Sequence, residues 1–90
     1  MLAKVKQALR ITHDELDGEI SDLIEAAMMD LSISGIVNFP ANDPLISRAI
    51  ILYSKANFGL SNDESEKFLQ GYTSLKIHLA LCGEYNNGDV

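Results

Sequence analysis

The stretch Leu9-Arg10-Ile11-Thr12-His13-Asp14-Glu15-Leu16-Asp17-Gly18-Glu19-Ile20-Ser21-Asp22-Leu23-Ile24-Glu25-Ala26-Ala27 decides the fold class. It reads as the end of a short helix, a break, and the start of a long amphipathic helix. Thr12 and Glu15 have capping-box spacing, in which the Thr hydroxyl accepts from the third helical N–H and the Glu carboxylate reaches back. From there Leu16, Ile20, Leu23, Ile24, Ala27 and Leu31 recur at helical spacing. This second helix is expected to run from Thr12 to Ser34, and Gly35 supplies the left-handed position that ends many helices. It would be roughly 33 Å long at 1.5 Å per residue. Gly18, in its second turn, costs ~1 kcal/mol relative to Ala. It marks either a bend or the close approach of another backbone.

Working outward, Leu2 to Ile11 forms a first short helix. Leu2, Val5, Ala8 and Leu9 share a stripe, with Lys4, Lys6 and Arg10 off it. After the second helix, Ile36 to Asn42 is a connector containing Phe39-Pro40. Asp43-Pro44 opens the third helix, with Asp as N-cap and Pro at the first helical position. That helix runs to about Phe58, and Gly59 closes it. Leu45, Ile46, Ala49, Ile50, Ile51, Leu52, Tyr53 and Ala56 cover more than one stripe of it. A helix apolar around most of its girth is buried on several sides, so it is either central or part of a subunit interface. Ser61 and Glu64 form a second capping box. The fourth helix runs from there to about Cys82, with Phe68, Tyr72, Leu75 and Leu79 as its stripe and Gly83 as its stop. Gly71 within it reads as close helix packing or as a plain propensity defect. The fold expected is all-α: a bundle of about four helices in a single domain over residues 1–83. Residues 84–90 form a polar, disordered tail.

Length and composition bound the function. Ninety residues make one domain, and a chain this short buries only about 60–65% of its unfolded surface. Hydrophobic residues make up 47% of it, so partner subunits would add useful burial. A net charge of −6 argues against a protein that grips nucleic acid by its phosphates, which needs a basic face. It does not exclude one that lets DNA slide past. The single Cys82 makes no internal disulfide, and a reducing cytosol is the default. No apolar run reaches the ~18 residues of a membrane span. Lys4, Lys6 and Arg10 also interrupt the apolar residues of the N-terminus, unlike a signal peptide.

Catalytic, cofactor-binding and metal sites are not expected. His13 beside Asp14 has no nucleophile or second base at readable spacing, and adjacent helical residues point apart. It is expected to be exposed. His78 lies away from any ligand set and reads as half-buried packing. Cys82 is at a helix C-terminus, which does not activate a thiol, so it too reads as packing. The strong charge feature is acidic. Residues 12–34 carry seven Asp or Glu and no Lys or Arg, after three basic residues in the first helix. Asp14, Asp17, Asp22 and Glu25 are read as a solvated face, or as one turned toward a basic partner or a pore. The plus-three, minus-seven asymmetry can pair within one subunit or head to tail between neighbours. Candidate subunit-interface residues are Met28 and Met29, which cannot both point at one core, with Ile46, Ile50 and Tyr53 from the apolar third helix.

Two blocks carry a resemblance. One is Leu2-Ala3-Lys4-Val5-Lys6 through Leu9-Arg10-Ile11-Thr12, then Asp14-Glu15-Leu16-Asp17 and Ile20-Ser21-Asp22-Leu23-Ile24-Glu25-Ala26-Ala27. The other is Asp43-Pro44-Leu45-Ile46-Ser47-Arg48-Ala49-Ile50-Ile51-Leu52-Tyr53-Ser54-Lys55-Ala56-Asn57-Phe58-Gly59. In order and separation they resemble the small head–tail connector proteins of tailed bacteriophages and prophages, often labelled DNA-packaging proteins. The likeness covers residues 2 to 82. It implies an all-α, non-enzymatic structural subunit, made in the bacterial cytoplasm and placed in the virion neck. The implied partners are further copies in a homo-oligomeric ring, the portal protein, and a downstream neck or tail protein. DNA would pass through the ring in packaging and ejection without specific binding, and neither cofactor nor membrane is implied. The competing reading is a small helical DNA-binding regulator of prophage origin. For that reading the third helix offers Arg48, Lys55 and Asn57 on an otherwise apolar surface. An enzyme is a third reading, which lacks any nucleophile–base or metal constellation.

Overall fold

Five helices follow one another in the computed structural model, which describes residues 1–40, 43–58 and 63–86. They are α1 (Leu2–Leu9), α2 (Asp17–Ile33), α3 (Pro44–Asn57), α4 (Asp63–Leu81) and the single turn α5 (Gly83–Asn86). The fold is an all-α bundle. Helix α3 is its centre, packed most extensively on α4, then on α2 and α1. That placement explains its apolar girth: Ile46, Ala49 and Ile50 are buried, and Ile51, Leu52 and Tyr53 pack at the core margin. Val5 of α1, Ile20, Ile24, Ala27 and Leu31 of α2, Ile36 of the connector, Tyr72 and Leu79 of α4, and Tyr85 of α5 complete the core. Buried Ser54 satisfies its hydroxyl by donating to the Ile50 carbonyl at 2.9 Å.

The start of α2 departs from the sequence reading. The helix begins at Asp17, not Thr12, and its N-cap position, Leu16, makes no side-chain cap bond. The expected Thr12–Glu15 capping box is not formed. The Lys6 ammonium lies 2.9 Å from Asp14 and 2.8 Å from Asp17, tying the segment between α1 and α2 to α1. Within it the Asp17 N–H donates to the Asp14 carbonyl as a turn. The 17 residues of α2 make it about 25 Å long. Gly18 falls in its first turn with nothing within 4 Å of where a Cβ would stand, so no backbone approaches there.

Two helix ends share one geometry. At α2, the Gly35 N–H donates to Ser32 and the Ile36 N–H to Leu31, with Gly35 at φ 104°. This pair of bonds is the Schellman motif, and buried Leu31 and Ile36 supply its apolar partners. At α1, the Arg10 N–H donates to Gln7 and the Ile11 N–H to Lys6. Here the left-handed residue is Arg10, at φ 61°, where a residue with a Cβ costs about 1 kcal/mol more than glycine. Gly71 is different. A methyl there would meet both Leu52 methyl groups at 3.7 Å, ordinary contact. The two glycines therefore predict opposite results in chemical denaturation. Gly71→Ala gains up to ~1 kcal/mol from helix propensity, whereas Gly35→Ala loses ~1 kcal/mol to left-handed strain.

The start of α3 matches its sequence signals. Asp43 Oδ2 accepts from the Leu45 N–H at 3.1 Å and the Ile46 N–H at 3.0 Å, and Pro44 occupies the first turn. The helix ends at Asn57, with Phe58 extended behind it. Gly59 and the Ser61 half of the second capping box lie outside the described residues.

The expected polar tail is corrected for its first three residues. Glu84 to Asn86 belong to α5, and Tyr85 is buried. The Tyr85 carbonyl accepts from the Val37 and Asn38 N–H groups at 2.8 and 3.0 Å. Its hydroxyl donates to the Asp43 carboxylate at 2.9–3.0 Å. The Asn38 amide donates to the Glu84 carbonyl at 2.8 Å, so α5 clasps the connector that leads into α3. Burial, and then the bond to Asp43, push the Tyr85 hydroxyl up to about 12 from its ordinary 10. The folded chain thus holds this proton more tightly than the unfolded one. Its contribution is complete below pH 10 and is lost as pH rises toward 12. Denaturation midpoints are expected to fall over that window. Tyr85→Phe should flatten the fall, leaving the part due to Tyr72, whose hydroxyl is also raised by burial and by Asp30.

Candidate functional site: the exposed faces of α2 and α4

The acidic run from Asp14 to Asp30 divides into three environments. Asp14 and Asp17 are engaged by Lys6 of the same subunit, and the Lys6 hydrogen bond holds the Asp14 carboxyl below its ordinary value. Asp30 points toward α4, where the Tyr72 hydroxyl donates to it and the Lys76 ammonium lies at 3.1 Å. The Tyr72 bond, aided by Lys76, keeps the Asp30 carboxyl low against the opposing effect of burial. The Tyr72 ring meets Tyr53 edge-on, with centroids 5.2 Å apart, and Lys76 stands over its face. Glu15, Glu19, Asp22 and Glu25 are exposed and have no ion pair among the described residues.

Helix α2 carries a groove on each of two sides. One is open and lined by Asp22, Glu25, Ala26, Met29, Asp30, Ile33 and Tyr53. Met29 is 64% and Ile33 77% exposed there. The second groove is smaller and more enclosed, with Met28 facing Met1, Phe39, Pro40, Ile46 and Ile50. The five sequence-selected residues are thus split, Met29 and Tyr53 in one groove, Met28, Ile46 and Ile50 in the other. Ile46 and Ile50 need correction as free interface residues. They are only 6% and 3% exposed, because α1, α2 and α4 surround α3 and the subunit's own core takes them up. Met28 and Met29 both lie outside that core.

Exposed residues overlooked in the sequence are Ile33, and on α4 Leu69, Ile77 and Leu81. Their signal was available: Ile33 follows Met29 by four positions, and Ile77 and Leu81 stand off the Tyr72–Leu75–Leu79 stripe. His13 is exposed, and so is His78, which was expected to be half-buried. Cys82 packs at the core margin. The DNA-regulator reading needs a free recognition helix. Arg48 and Asn57 of α3 are exposed, but Lys55 lies over the Phe68 ring, and α3 is flanked by three helices. Among the described residues no helix is long and apolar enough to cross a membrane.

The arrangement is suited to contact. It presents apolar side chains in shallow grooves rimmed by carboxylates. In comparison with known proteins, the family described as phage connector protein matches residues 1–86. No curated protein and no solved structure matches the chain.

Proposed function

The chain belongs to the phage connector protein family, and from that premise we propose that it is one subunit of a homo-oligomeric ring at the head–tail junction of the virion. The ring docks on the portal protein, receives a downstream neck or tail protein, and continues the channel through which DNA is packaged and ejected. The carrying observation is the family match over nearly the whole chain, from residue 1 to residue 86. The surface supports it. A ring repeats one heterologous contact, so each subunit needs two different exposed faces. Met29 and Ile33 on α2 and Ile77 and Leu81 on α4 give apolar side chains on two separate helices. A chain with net charge −6 does not hold a passing DNA strand tightly.

Disrupting the gene in a phage that carries it tests the reading. Heads and tails are expected to accumulate unjoined, with joining restored when the chain is supplied in trans. Normal yields of tailed, infectious particles without the chain would contradict it.

A further inference from the structure

We draw no further inference here: the strongest candidate, the open groove along α2 lined by Asp22, Glu25, Met29, Ile33 and Tyr53, carries none, because nothing in the structure shows what covers it.

Discussion

Ile50→Asp is expected to unfold the subunit. Ile50 is 3% exposed at the centre of α3, where its neighbours are aliphatic and aromatic side chains of the shared core. The substitution removes ~2–3 kcal/mol of apolar burial. It also buries a carboxylate among these apolar side chains, at a further cost of several kcal/mol. A domain of this size has a total stability on the order of 5–13 kcal/mol, so most or all of it is consumed. Far-UV circular dichroism at pH 7 should show lost helicity. Acidification should restore part of it, because a neutral carboxylic acid is cheaper to bury than a carboxylate. Met29→Lys is the contrasting case. Met29 is 64% exposed, so the variant should keep its helicity and its denaturation midpoint while losing self-association.

Asp43→Ala is expected to produce the second large loss, about 2–4 kcal/mol. One carboxylate here serves two elements. It caps α3 through the Leu45 and Ile46 N–H groups, worth ~1 kcal/mol. It also accepts the Tyr85 hydroxyl, and removing it leaves a buried donor unsatisfied at ~1–3 kcal/mol. Tyr85→Phe removes only the second interaction and should cost less. The double variant should lose less than the two singles combined, because both act on the same bond. Additive losses in urea denaturation would mean that the clasp of α5 on the connector is not coupled to the start of α3.

The contrast between legible and illegible features has a physical basis. The start of α3 and the end of α2 were readable because their determinants are local: Asp43 before Pro44, and Gly35 before Ile36. The start of α2 was misread because a distant residue decides it. Lys6 holds Asp14 and Asp17, and that tertiary contact overrides the local preference of Thr12 and Glu15 for a capping box. Tyr85 was hidden among polar neighbours, and a lone aromatic residue has no periodicity to reveal its burial. Ile46 and Ile50 illustrate a different limit. A helix apolar all round shows that something covers it, but not whether the cover is its own chain or another. The acidic run was visible as composition. Its division into internally paired Asp14, Asp17 and Asp30 and unpaired Glu15, Glu19, Asp22 and Glu25 depends on where Lys6, Tyr72 and Lys76 lie in space.

The most direct test of the account is the mass of the species that the chain forms in the assembled particle. Purified virions dissociated gently and analysed by native mass spectrometry should release the chain as one discrete multiple of its own mass, alone or bound to portal or neck protein. Recovery of single copies only, or absence of the chain from the particles, would contradict it.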